Sequence, residues 1–498
     1  MKKMNLLVMS LVSAAALSFS SCSSNDELTS GGGTQSQADG VYMTLKISGA
    51  TSHGTRTSVT DGKTTTDNGS VAESTITEGM MYIYDGPTCV FRKVITKDMF
   101  ETAPTQTTSG VTKPIKVAVT GAITTGKKYD VYFLANRTNV DNPIAAASIF
   151  TSTTGGADFA IDNKFVMFNQ NDGTKAAAHS KVEFTDAAKS DKSPAAADEI
   201  KLDRVVARID NPSFDESVKT VTPAENTTTS INVADVVAGI SYEGFAVSNL
   251  NNNSYVMQNW DTKFKTLNVK WGEPKYSLPK SDYGTLYNAA GLVNFSSKEN
   301  PVSWKYAFEN TTTDVNDATA VYFKVKVALT ETANNASDFK DGTFYRYDGR
   351  LYTSIQAIYN DAATGAISNP FTETSSITPA DVVAKISDAD GKLTTDEAKL
   401  AQFRQDYKIE VYRQGVMYYR WAISDNAYKP FIASETTHTY SVLRNSIYRL
   451  KVTKVSEIGK DVPNGPEPDD PVKNPNFYMN VSVSINPWVL NAQPIELK

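Results

Sequence analysis

The chain has 498 residues, enough for two or three domains, with 49 basic against 55 acidic side chains and a formal net charge of −6. No basic run or Arg–aromatic interleaving is present, which argues against a nucleic-acid or anionic-membrane surface. Ser, Thr, Asn, Tyr and Val are abundant and long amphipathic helical runs are scarce, which points to an all-β protein.

The chain starts as a targeting segment. Lys2 and Lys3 precede "LLVMSLVSAAALSF", an apolar run too short for a stable membrane-spanning helix, and the run ends at "SFSSC". This resembles a bacterial lipoprotein signal over residues 1–21, with Cys22 lipidated as the mature N-terminus; a plain secretory signal cut nearby is the alternative. The next residues, "SSNDE", resemble the export signal of surface-displayed lipoproteins in Gram-negative anaerobes. If Cys22 carries lipid, Cys89 has no partner, and no disulfide framework stabilises the fold.

Residues 23–40 read as a polar, Gly-rich tether. Val41, Met43, Leu45 and Ile47 then alternate with Tyr42, Thr44, Lys46 and Ser48, the period of a half-buried strand. A soft Gly/Ser/Thr loop around Arg56 follows. Strands are expected at 80–85, 113–121, 129–138, 163–172 and 200–212, the last ending at Asn211–Pro212. "YDVYFLANRT" (129–138) is nearly continuous in apolar and aromatic residues, as a strand buried on both faces would be. Residues 57–212 form the expected N-terminal sandwich.

The second sandwich is expected over 213–458, with strands at 240–249, 320–330, 343–352, 408–424 and 440–455. One helix is expected at "TPADVVAKIS" (378–387), with Thr378 as N-cap and Pro379 in the first turn. Residues 459–476 are Pro-rich and acidic, a linker unsuited to a sheet that could reach some tens of ångströms. Beyond it, Met479, Val481, Val483 and Ile485 alternate with Asn480, Ser482, Ser484 and Asn486, so 477–498 reads as an arm. Both ends thus carry one apolar code, and one groove could accept either strand. Burying four such side chains is worth roughly 1.5–3 kcal/mol each as an upper value. Within a single body the two strands could equally pair as first and last strands, and Arg56 could be a solvated loop residue.

Residues carrying a resemblance are the start at Cys22, "GTRT" (54–57), "YDVYFLANRT", "LDRVVARID", "MYYRWAISDN", "YSVLRNSIYRLKVTKVSEIG", the linker, and "MNVSVSINPWVLNAQPIEL". Together they resemble the shaft subunits (minor-type fimbrillins) of type V pili of Gram-negative anaerobes, most specifically in the C-terminal quarter. The resemblance implies two tandem, transthyretin-like β-sandwiches with a detachable C-terminal donor strand. It implies an outer-membrane lipoprotein precursor that an Arg-specific protease cuts between Arg56 and Thr57, removing the strand Val41, Met43, Leu45 and Ile47. Met479, Val481, Val483 and Ile485, with Trp488 and Leu490, would then fill a neighbour's groove. Implied partners are copies of itself in a head-to-tail filament, anchor and tip subunits, the protease, and an unidentified host or bacterial receptor, with roles in adhesion and biofilm formation. Arg92, inside the strand-like "VFRKVI", is a less accessible cleavage position than Arg56.

No enzyme motif is found and no cofactor is expected. His53, His179 and His438 lack metal-like spacing, and no nucleophile elbow, P-loop or dinucleotide fingerprint occurs in a suitable context. "ISDADGKLTTDE" (386–397) fits a calcium loop at Asp388, Asp390, Gly391, Leu393 and Glu397, but Ile386 stands where the first carboxylate is needed. Trp260, Trp271 and Trp304 could stack on sugars, so a monomeric glycan-capturing surface lipoprotein is the competing reading. An anchor or tip subunit of the same pilus is a second alternative.

Overall fold

The computed structural model describes residues 40–49, 67–68, 70–101, 115–145, 148–171, 180–214, 233–259, 303–312, 315, 317–371, 377–423, 440–455, 457–462 and 479–489. Strands dominate it, as the composition predicts.

The first sandwich packs two sheets over one core. One sheet holds β1 (Val41–Leu45) between β6 (Ile115–Val119) and β11 (Ala195–Ala196). The other runs β2 (Ile47–Gly49), β12 (Ile200–Arg204), β9 (Met167–Asn169), β7 (Lys128–Ala135), β4 (Gly79–Asp85) and β5 (Thr88–Ile95), with β10 (Ser180–Glu183) also paired to β7. β4 and β7 lie inside this sheet and are buried along nearly their whole length, which is why their sequences run apolar without alternation. β1 and β6 have one wet face and alternate. Cys89, on β5, forms no disulfide among the described residues.

The expected strand over 200–212 is two strands in two sheets. β12 ends at Arg204, and β13 (Ala207–Asp210) pairs antiparallel with β17 (Trp304–Ala307) and parallel with β25 (Ser446–Val455). The change of sheet therefore falls at Val205–Val206, ahead of Asn211–Pro212. Both valines are fully buried, so the chain crosses through the interior rather than by a surface linker.

In the second sandwich β25 is flanked by β13 and β14 (Ser213–Phe214) on one edge and by β26 (Met479–Val489) on the other. The facing sheet is β15 (Val237–Ser248), β19 (Ala320–Leu329) and β23 (Val416–Ala422). Phe245, Phe323, Val325, Met417, Tyr448 and Leu450 close the core between them. One short ladder, β8 (Ile149–Thr151) with β16 (Asn253–Tyr255), ties the halves of the chain together, and another, β18 (Asn310–Thr312) with β24 (Tyr440–Val442), closes within the second half.

Two other expected strands are also divided. Residues 343–352 form a hairpin, β20 (Phe344–Tyr347) and β21 (Arg350–Tyr352), around Asp348 and Gly349 at φ 47° and 72°. Residues 408–424 give β22 (Glu410–Tyr412) beside β20, then a tight turn, then β23 beside β19. The turn needs Gly415: its φ is +78°, and a Cβ there would meet the Val327 carbonyl oxygen at 2.1 Å.

The expected helix is present as Pro379–Lys385, with Thr378 and Asp381 in a reciprocal capping box. Helices Ile355–Ala363 and Glu397–Tyr407 accompany it and were not expected. With the hairpin and β22 they enclose a separate core around Ile355, Leu400, Phe403 and Val411. This helical insert interrupts the second sandwich between β19 and β23.

Candidate assembly site

β1 is gripped from both sides. It pairs antiparallel with β6 from Val41↔Val119 to Leu45↔Ile115, and parallel with β11 at Met43↔Ala195 and Thr44↔Ala196. The Ile200 amide donates to the Lys46 carbonyl at 2.8 Å, carrying the pairing on to β2 and β12. Val41 is 6% exposed, and Met43, Leu45 and Ile47 are 0% exposed. Across from them lie Ile115, Val117 and Val119, also buried. Taking β1 out would bare this apolar face and two rows of backbone groups, on β6 and on β11, at once. Each unpaired buried backbone group costs about 1–3 kcal/mol, so the slot demands a replacement strand.

β26 lies antiparallel along β25, from Ser446↔Pro487 to Val455↔Met479, with a bulge between Val452 and Lys454. Ile485, Val483 and Val481 stand opposite Tyr448, Leu450 and Val452, which are 0–2% exposed. The segment read from sequence as an arm is thus part of its own body's sheet in this state. Its other edge pairs with β3 (Asp67–Asn68), at Trp488↔Asp67 and Val489↔Asn68. Leu490 lies outside the described residues, as do Cys22, Arg56 and Thr57. The described chain on either side of the Arg56 loop nevertheless fixes its endpoints. It leaves from Gly49, beside the slot, and returns at Asp67, beside β26. Arg92 is on β5, paired with Asp141.

The junction between the sandwiches is polar, buried and paired. Glu73, 1% exposed, accepts from Arg208 Nη1 at 3.1 Å, from the Tyr306 hydroxyl at 2.9 Å and from the Ser70 amide at 2.6 Å. Burial pushes its carboxyl pKa up, but the Ser70 amide, the Arg208 charge and Tyr306 together bring it below the ordinary value. Arg204 Nε donates to the Glu73 carbonyl at 2.9 Å, and Arg204 Nη1 to Asn445 Oδ1 at 3.2 Å. Asn445 Nδ2 donates to Asp203 at 2.7 Å. Nearby, Arg444 Nε donates to Glu309 at 2.8 Å and Arg444 Nη1 to the Val256 carbonyl at 2.9 Å. Sequence reasoning missed this cluster, because its members are far apart along the chain.

The remaining candidates sit apart from the slot. Trp304 is 38% exposed, and the Arg208 guanidinium stacks 4.9 Å from its ring centre, so one face is occupied. Trp260, Trp271, His53, His179 and His438 lie outside the described residues. Ile386 is in the core of the insert, and Asp388 Oδ1 accepts from the amides of Asp390 and Lys392, closing an acidic turn. No group of three or more His, Cys, Asp or Glu able to hold a metal occurs among the described residues.

Comparison with known proteins gives one family match: residues 410–494 fit the C-terminal region of fimbrillin, the major fimbrial subunit protein type IV. No curated protein matches the chain. Among solved structures, a fimbrilin of Porphyromonas gingivalis W83 aligns at 15% identity and TM-score 0.42, over 91% of this chain and 99% of that one. A candidate cell adhesion protein of Parabacteroides distasonis ATCC 8503 aligns at 12% identity and TM-score 0.43, over 90% and 99%. A second one from the same strain gives 14% and 0.41, over 91% and 99%.

Proposed function

We propose that the protein, whose residues 410–494 match the C-terminal region of fimbrillin, is a structural shaft subunit of a type V pilus. It is not an enzyme. The precursor is exported, lipidated at Cys22 and held at the outer membrane. An Arg-specific protease cuts between Arg56 and Thr57, which takes away β1 and β2 together with the lipid. The emptied slot then accepts the Met479–Ile485 segment of a neighbour, with Trp488 and Leu490 completing the contact. Repeated head to tail, such a contact does not close on itself and yields an open filament, a cell-surface fimbrium serving adhesion and biofilm formation.

The observation that carries this reading is the position of β1: an interior strand, buried on one face and paired on both edges, that precedes Arg56 in the chain. The energetics favour exchange only after cutting. Before it, a donated strand would have to displace a covalently attached plug at very high effective concentration. Afterwards, two edges and an apolar face await a strand of the same alternation, and the arm gives up only its place on β25.

The test is to express the chain without its signal, treat it with an Arg-specific protease, and follow N-terminal sequence and particle size. A parallel sample ends at residue 476. The expected result is Thr57 as the new N-terminus and ladders or filaments from the intact chain alone, with the shortened chain cut but monomeric. Resistance at Arg56, or a stable cut monomer that never assembles, would overturn the proposal.

A further inference from the structure

Residues 457–462 follow β25 and include the first four residues of the linker expected over 459–476, yet these pack on the body and are held far more firmly than a hinge needs. Ile458 and Val462 are each 2% exposed. The Glu457 carbonyl accepts from the Tyr419 hydroxyl at 2.7 Å, Ile458 from Arg346 Nη1 at 3.0 Å, and Gly459 from the Tyr412 hydroxyl at 2.7 Å. Lys460 and Tyr418 exchange both backbone bonds, at 2.7 and 2.9 Å. Gly459 presses on β23: a Cβ there would meet the Tyr418 carbonyl oxygen at 2.5 Å.

Asp461 completes the set. It is 4% exposed, and its Oδ2 accepts from Arg404 Nε and, at 2.8 Å, from the Val411 amide. Arg404 Nη2 also donates to the Val411 carbonyl at 3.3 Å. A carboxylate this deep requires a paired cation and further donors. The cation comes from helix Glu397–Tyr407 of the insert, outside the region 410–494 that matches the fimbrillins, whereas Asp461 lies within it.

We propose that residues 457–462 are a fixed mount for the C-terminal strand. Arg404 is the positioning residue that, through Asp461, sets where the tether leaves the body, at Val462. This rests on β26 being the exchanged arm, and it gives the helical insert a role in assembly. The concentration a tethered strand reaches at a neighbour's slot depends on tether length and on where its root is held. A loosened root lengthens the tether, blurs its direction and favours the arm's return to its own β25.

The test compares wild type, Arg404→Met and Asp461→Asn, each without the signal. Amide exchange is measured on the uncut monomer, and polymer length after Arg-specific cleavage. Wild-type amides at 457–462 are expected to exchange about a hundredfold slower than those at 463–476. Arg404→Met is expected to erase most of that factor, since it strands a buried charge, with protection in β4, β7 and β19 unchanged and polymers shorter. Asp461→Asn also leaves a buried charge, that of Arg404, without its counter-ion, but it keeps an acceptor for both donors, so it should loosen 457–462 and shorten the polymers by less than Arg404→Met.

The mount is overturned if wild-type 457–462 exchange as fast as the linker. It is overturned equally if Arg404→Met loosens the whole chain, or if it loosens only 457–462 yet gives polymers of wild-type length. Should Arg404→Met not fold, the wild-type exchange pattern and Asp461→Asn decide. If wild type never polymerises, the arm reading fails, and the exchange data alone still show whether the mount exists.

Discussion

The strands at the two ends of this chain share an apolar code but hold very different positions. β1 is walled in by β6 and β11, with Met43 and Leu45 wholly buried and Val41 nearly so. β26 adds to the outside of β25 and, among the described residues, is flanked on its other side by the two-residue β3. Alternation therefore tells what a strand can bury, whereas its place in the sheet decides what its removal costs. Losing β1 bares two edges between the sheets of the first core, whereas losing β26 bares the long edge of β25, beside Tyr448, Leu450 and Val452, and the two residues of β3.

The sharpest way to break this comparison is to place one charge in each strand. Leu45→Asp in the uncut chain should cost more than about 4 kcal/mol, because an unpaired carboxylate would sit in the first core. Val483→Asp, set against buried Leu450 but on a strand added to the outside of β25, should cost the monomer clearly less than Leu45→Asp and abolish polymer growth after cleavage. Equal losses of monomer stability from the two substitutions would mean that β26 is as integral to its sandwich as β1. Those are the largest expected effects.

An intermediate effect tests whether the two sandwiches act as one body. Arg444→Ala removes the cation beside buried Glu309 and the donor to the Val256 carbonyl. It should cost about 3–5 kcal/mol in urea unfolding and divide a single transition into two. A single, barely shifted transition would show that the junction contributes little.

The smallest effect is one of pH. Glu73 has its pKa lowered in the folded state, so its contribution to stability is present above the unfolded value of 4.5 and is lost as pH falls below it. Wild type and Glu73→Gln should therefore differ most near neutrality and draw together as pH falls below 4.5, by urea unfolding at a series of pH values. A gap that widens on acidification would reverse the sign of the argument.

Much of the strand content was legible because burial on one face enforces alternation and burial on both enforces apolar runs, as in β1 and β7. Thr378–Pro379 likewise announced its helix through cap chemistry. The split at Val205–Val206 was not legible, since "RVVARI" reads the same whether a strand continues or changes sheets. Helix Glu397–Tyr407 was missed for a different reason. Its inward face includes Glu397 and Arg404, so two buried charges blur the apolar stripe of Leu400, Phe403 and Tyr407. At the candidate site, alternation exposed both strands, but the mount at 457–462 is built from partners more than 30 residues away that no local pattern could signal.

The buried crossing at Val205–Val206 has a mechanical consequence. With no exposed spacer there, and with arginines 204, 208 and 444 clamping both sides, the sandwiches have no pivot between them. Each molecule would then carry a pull or a twist from one sandwich to the other as a single stiff lever, with the load passing through Val205–Val206 and the buried arginine pairs.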